Sequence, residues 1–343
     1  MTLRAEDEHG IDWPPGVDIK SPPPSPQVHD REDYYGVPLL KRPKWRWEIA
    51  LYFFLEGISA GSFLLGALAS LSGNKRLREL ARSAFDVSFF ALLPCPPLLI
   101  ADLGRPERFH HMLRVFKPTS PMNLGAWTLS AFSLPVTGIA ARHLISGGAD
   151  EGKSRARQVA LGAAGLPFAM TMISYPGVLL STTSTPVWSR SRFLGALMAC
   201  SSIANGTAAT SIALSLRAPD QNAALESLRQ IENIARICEG ASLAAYIVTS
   251  KDAAKPLTRG RHSRLFWVGA IGCGLLLPLI LRGHTNHRRQ NRSRNILRSA
   301  LSLAGGLALK WAITHAGRQS ADDVDATRNA TRPDNSAPGW GPV

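Results

Sequence analysis

Long apolar stretches alternate with short charged gaps along this chain, and the stretches have the length of helices that cross a bilayer. Uncharged or nearly uncharged runs occur at 48–72, 82–103, 123–145, 159–182, 193–216 and 265–281. Each comes near the ~20 residues needed to cross about 30 Å of hydrocarbon. Two weaker runs, 228–250 (which opens on charged residues) and 296–316 (which contains Lys310), bring the expected total to about eight. Leu, Ala, Gly and Ser dominate them, a composition suited to closely packed membrane helices. Gly57 and Gly61 add a GxxxG step to the first run.

The ends differ. Residues 1–47 are rich in Pro and acidic side chains and residues 317–343 are polar, so a largely extended tail and a disordered tail are expected around a transmembrane domain at 48–316. These tails explain a mean hydropathy of only −0.01. The opening MTLRAEDEHGIDWPPG has no apolar core, so the first span is expected to direct membrane targeting. An even number of spans puts both ends of the chain on one side, the terminal face, together with the loops at 101–122, 183–192 and 251–264. Lys and Arg flank both faces in similar numbers, which leaves orientation undecided by the positive-inside rule.

The net charge of +14 raises the question of nucleic acid. The basic residues lie in the gaps between apolar runs, where anionic lipid headgroups would hold them, and no RNP, zinc-finger or helix-turn-helix signature is present. Lipid is therefore the expected partner of this charge, and nucleic acid is not.

Ionisable groups inside a span cost roughly 2.5–3.5 kcal/mol each at a helix centre, so each needs a reason. Glu56, Asp86, Glu239 and Lys310 are such groups. Asp86, four residues into its span, and Lys310 are expected to snorkel towards a face. At ~1.5 Å per residue, Glu56 and Tyr175 lie about 12 and 10 Å inside the terminal face, on different helices at similar depth. Glu56, Glu239 and Asp86 are the candidates for proton transfer. A carboxyl group removed from water can take up and release protons near neutral pH.

The four cysteines fall in four different runs without a CxxC pair, which argues against a cluster or zinc site. The nine histidines lie in tails, loops and span ends, so facing axial ligands for a b-type haem are not expected. No haem or metal is expected in this chain. A GxGxxG element is also missing from the sequence.

Three blocks, WEIALYFFLEGISAGSFLLG, ADLGRPERFHHMLRVFKPTSPMNLGAW and YPGVLLSTTSTPVW, in this order and spacing, resemble the NrfD/polysulfide reductase membrane-subunit family over roughly residues 34–316. The DLGRPERF…SPMxxGAW block is the most specific of them. The resemblance implies an all-α polytopic bundle built around NrfD-like four-helix bundles, in a bacterial inner membrane. It also implies non-covalently bound menaquinone or ubiquinone near the face where a ferredoxin-like iron–sulfur subunit docks. A molybdopterin-type catalytic subunit would lie beyond, and some members are thought to couple electron transfer to proton movement.

Carried over by residue, Asp102, Arg105 and Tyr175 match the family's quinone-site blocks. The first helix opens on Trp45, Arg46, Trp47 and Glu48, without the His or Asn expected there, so Glu48 or Glu56 is the candidate substitute. Arg108, His110, His111, Arg114 and Lys117 form a basic strip suited to docking the iron–sulfur partner. No catalytic residue of its own is expected, the protein being a non-catalytic subunit of a quinone-linked oxidoreductase. A passive membrane anchor and a small-molecule transporter remain the alternatives.

Overall fold

A computed structural model describes residues 40–322 except 42, 105, 146–150 and 282–291. The described residues fold into α-helices without strands. They are α1 (Trp47–Leu71), α2 (Arg78–Leu92), α3 (Cys95–Asp102), α4 (Pro121–Ile145), α5 (Glu151–Ser181), α6 (Leu194–Arg217), α7 (Asn222–Ser250), α8 (π-wound Leu265–Leu276 running into Leu277–Ile280) and α9 (Arg292–Ala321). Most of both expected tails lies outside the described residues. The last helix runs past the expected boundary at 316 to Ala321.

Six helices have both the length and the apolarity to cross a membrane, counting α2 and α3 as one. The expected eight is thus met only in part. Helix α7 has 29 residues, but Glu226, Arg229, Glu232, Arg236 and Glu239 interrupt it, and α8 is short. The broken second span has a local cause. Pro94 sits at the junction of α2 and α3, and Pro96 and Pro97 fall in the first turn of α3, where a missing N–H costs nothing. In α5, Pro176 removes the backbone bond to the Met172 carbonyl beside Tyr175.

With α2 and α3 taken as one, the helices gather as two four-membered groups. In the first, α1 packs on α2, α3 and α5, with α4 against α5 and α2; in the second, α6 packs on α7 and α9, and α9 on α8. Aromatic rings fill the first group, where Phe63 meets Phe85 and Phe132 edge-on at 5.3 and 5.2 Å. The seam between the groups is built from small residues instead. Gly57 and Gly61 of α1 face Ser202 of α6, and Gly206 of α6 faces the backbone at Gly61 and Ser62. A Cβ at Gly61 or Gly206 would run into backbone, so the GxxxG step works as read from the sequence. Across this seam Ser62 Oγ donates to the Gly206 carbonyl at 3.2 Å.

Both ends of the helical domain meet at one face. Arg318 near the end of α9 donates to the Trp45 carbonyl at 2.8 Å, and Trp188 Nε1 donates to the Ile313 carbonyl at 2.9 Å. At the other face, Asp86 of α2 pairs with His143 of α4 at 2.8 Å and with Arg217 of α6. That pairing replaces the expected snorkelling with a three-helix clasp.

The charged strip between α3 and α4 lies on the terminal face and is pinned by one side chain. Asn123 Nδ2 donates to the Met112 and Val115 carbonyls at 2.8 and 2.9 Å, while its Oδ1 accepts from the Lys117 N–H at 2.7 Å. Trp127, edge-on to Phe116 at 5.9 Å, supports the same turn.

Two outcomes follow from this packing. Gly61→Leu forces α1 and α6 apart at a cost of ~1–3 kcal/mol. It should lower the unfolding temperature in detergent by several degrees, whereas Gly104→Ala, in open space, leaves it unchanged. Asn123→Ala orphans its partners at about 1 kcal/mol per bond. Amide exchange across 112–117 should then rise about fivefold or more while α4 keeps its protection.

Candidate functional site

Where α1, α3, α4 and α5 approach the terminal face, they enclose an apolar cavity of about 340 Å³. Ile49, Leu99, Leu129 and Leu179 supply much of its wall. The underside of the strip, through Phe109, Met112 and Leu113, closes its mouth. The charged side chains of that strip point elsewhere: His110, His111, Arg114 and Lys117 are all exposed. The Arg108 side chain lies outside the described residues, as does all of Arg105. One segment therefore presents an apolar roof to the cavity and a basic top to the aqueous side.

Few polar groups reach the cavity, and each has a definite support. Tyr175 lies on its wall and donates its hydroxyl to the Pro121 carbonyl at 3.2 Å. Its ring occupies the space that a side chain at Gly125 would take, so Gly125 is what lets α4 approach α5 here. Asp102, the last residue of α3, lines the rim and accepts a hydrogen bond from the Arg46 backbone N–H. Ser130 and Ser133 of α4 also face the cavity, but their hydroxyls donate to carbonyls of their own helix. Tyr52 of α1, which sequence reasoning does not single out, lines the same wall. Its one signal is an aromatic hydroxyl a helical turn before Glu56, hidden among the apolar residues of YFFLEG. Trp45 completes the rim, stacked at a tilt on Trp188 with centroids 5.3 Å apart.

The expected carboxylates divide. Glu48 and Glu56 are both buried in α1, and neither is on the cavity wall. Glu56 lies behind Tyr52 and Tyr175, within electrostatic reach of both, and neither of its oxygens has a hydrogen-bond partner. Glu239 is buried in α7 and bonded to Arg236 at 2.5 Å. Asp86 is committed to its clasp at the far face, away from Glu56 and Tyr175.

Lys310 departs most from expectation. Instead of snorkelling it is fully buried, with Nζ on the Met198 sulfur at 2.8 Å and the Met198 carbonyl at 3.4 Å. Glu56 and Glu239 both lie within electrostatic reach of it. Among the described residues no group of three metal-ligating side chains occurs.

Comparison with known proteins agrees with this architecture. The family described as "Polysulphide reductase, NrfD" matches residues 39–321. A polysulfide reductase polypeptide of Wolinella succinogenes is 28% identical over 308 residues, covering 80% of the present sequence and 94% of its own. Protein NrfD of Escherichia coli is 25% identical over 302 residues, covering 80% of the present sequence and 95% of its own. A selenate reductase polypeptide of Mesobacillus selenatarsenatis is 36% identical over 76 residues, covering 22% of the present sequence and 18% of its own. The NrfD match spans both helix groups and the cavity between α1 and α5. This chain is a multi-pass membrane protein that belongs to the polysulphide reductase NrfD family of oxidoreductase-complex membrane subunits.

Proposed function

We propose that this protein is the quinone-reactive subunit of a respiratory-type oxidoreductase in a bacterial inner membrane, with menaquinone or ubiquinone seated in the cavity under the 106–120 strip. The single observation that supports this best is the cavity itself: an apolar chamber beneath the strip at the terminal face, with few polar side chains, namely Tyr52, Tyr175, Ser130 and Ser133 on its wall and Asp102 and Trp45 at the rim. Such a chamber suits a flat, apolar ring with a polar atom at each end. A bound quinol supplies two electrons and two protons when oxidised. Tyr175 can donate a hydrogen bond to a ring carbonyl or accept one from a ring hydroxyl. Asp102 holds the opposite, wetter end. Glu56, behind the tyrosines and short of hydrogen bonds, is placed to take a proton passed inward.

The exposed basic top of the strip gives the electron route its partner. Arg114 and Lys117, with His110 and His111 beside them, form an exposed basic surface on the strip, suited to an acidic iron–sulfur subunit. A molybdopterin-type catalytic subunit would then lie beyond that one. A passive anchor would need the strip but not the cavity, and the cavity is the better-formed of the two. Arg105 belongs to the DLGRPERF block that carries the resemblance, and its role in quinone binding is part of this proposal.

Two measurements test this. Trp45, on the cavity rim, should report a quinone analogue by saturable fluorescence quenching of the purified complex. Tyr175→Phe removes one hydrogen bond, ~0.5–1.5 kcal/mol, and should weaken that binding about three- to tenfold. Quinol-linked turnover should fall with it. Absent quenching, with partner subunits still attached, would leave an anchor.

A further inference from the structure

A second recess lies at the far face, on the side of the protein away from the strip. Between α2 and α6 an open groove of about 480 Å³ is walled by Val87, Phe90 and Ala91 of α2 and Ala213 of α6, with Asp86 and Arg217 at its outer end. Arg217 is the last residue of α6, and His143 stands two residues before the end of α4. The clasp they form with Asp86 therefore marks the level at which these helices leave the bilayer. From that border the groove runs inward past Phe90 to Ala91, roughly 8 Å along α2. Phe90 is 68% exposed, so its ring is turned to hydrocarbon.

The polar end of the groove has hydrogen bonds to give. Ser83 Oγ lines it, is buried, and has no hydrogen-bond partner. A serine inside a helix usually returns its hydroxyl to the carbonyl one turn back, as Ser130 does. Ser83 does not, and a buried hydroxyl left without a partner is costly. Arg217 engages Asp86 through one nitrogen, and its side chain is 40% exposed. Above them α2 adds more positive charge. Arg78 and Arg82 precede Asp86 at steps of four, and Phe90 follows at the same step, the spacing that stacks side chains along one side of a helix. That line turns from cationic to apolar at the level of the clasp. Between Lys75 and Arg82 four of eight residues are basic and one, Glu79, is acidic. The Asp86 carboxylate is already met by His143 and Arg217, so it does not turn an anion away.

We propose that this groove binds one anionic phospholipid from the far-face leaflet. An acyl chain lies against Phe90, Val87 and Ala213, and the phosphate sits at the level of Ser83 and Arg217 with Arg82 above it. Ser83 donates to a phosphate or ester oxygen, and Arg217 offers the donors that Asp86 leaves unused. The match is one of charge and depth together: a cationic end at the membrane border continues into an apolar end inside it, as the lipid's own head and chain do. A soluble anion would fill only the outer end. The lipid touches α2 and α6, which belong to different helix groups, and so braces their junction from outside while the glycine contacts of α1 and α6 hold it within.

The test strips the purified complex of lipid in mild detergent and titrates it with phosphatidylglycerol, with phosphatidylcholine of the same acyl chains and with inorganic phosphate. Native mass spectrometry reads the molecules retained, and a thermal scan reads the unfolding temperature. Wild type should retain one phosphatidylglycerol at least about tenfold more tightly than phosphatidylcholine. Its unfolding temperature should rise with that lipid, and phosphate should not displace it. Ala213→Phe fills the groove without altering a charge and should remove the preferred molecule. Ser83→Ala should weaken its retention about three- to tenfold. Without lipid, Ser83→Ala should unfold no earlier than wild type, because the hydroxyl it removes has no partner in the protein. Equal retention of the two lipids overturns the proposal, as does a preference unchanged in both variants. Displacement by phosphate alone overturns it in favour of a simple anion pocket. A dimer of the chain that Ala213→Phe separates overturns it in favour of a second copy in the groove.

Discussion

Backbone contact between α1 and α6 is the constraint from which the rest of the structure follows. In a bilayer no hydrophobic effect drives helices together, so association depends on close packing and on satisfying polar groups internally. Glycines at 57, 61 and 206 bring the two backbones close enough for Ser62 to bond across the seam. That approach joins the two helix groups. It also sets Glu56 of α1 and Asn205 of α6 within the reach of residues on α7 and α9. With bulkier side chains at the seam, the first group would still enclose its cavity, but the carboxylate behind it would face lipid rather than Lys310.

The charged strip is explained by the same economy of polar groups. A loop at the membrane surface must satisfy its backbone without a regular helix, and Asn123 does so for three of its groups at once. With the turn fixed, Phe109, Met112 and Leu113 are directed downwards and the charged residues upwards. The cavity roof and the basic surface are two sides of a single segment, which ties occupancy of the cavity physically to whatever sits on the strip.

Much of this was legible in the sequence because it is written in local pattern. The apolar runs locate the helices to within a few residues, the three blocks identify the family, and Tyr175 and Asp102 both line the cavity. What could not be read is non-local. Tyr52 looks like one more aromatic in an apolar run, because nothing in its neighbourhood says that α1 turns that side towards α5. Lys310 and Asp86 look like snorkelling residues from their surroundings in sequence, yet each is held by residues more than fifty positions away. For α7 the opposite holds: its charges make it the least secure span in the sequence, yet three of them, Glu232, Arg236 and Glu239, are packed inside.

Stability alone does not account for the buried charges. Removing an ion pair from water costs several kcal/mol per ion, and its internal attraction recovers this only with complete hydrogen bonding; apolar side chains of similar volume often serve as well. Arg236 approaches that completeness. Glu56 does not: it is fully buried with both oxygens unpartnered, and Lys310 has only a thioether and a distant carbonyl. Under-satisfied groups of this kind lower the stability of the fold, and they are also the ones whose protons can move. Arg236 is the best-satisfied member of the set, while Glu56, behind the cavity, and Arg298 and Glu232, further along α9 and α7, each keep buried polar atoms without a partner, so the cost of burial is spread among them rather than gathered at one end.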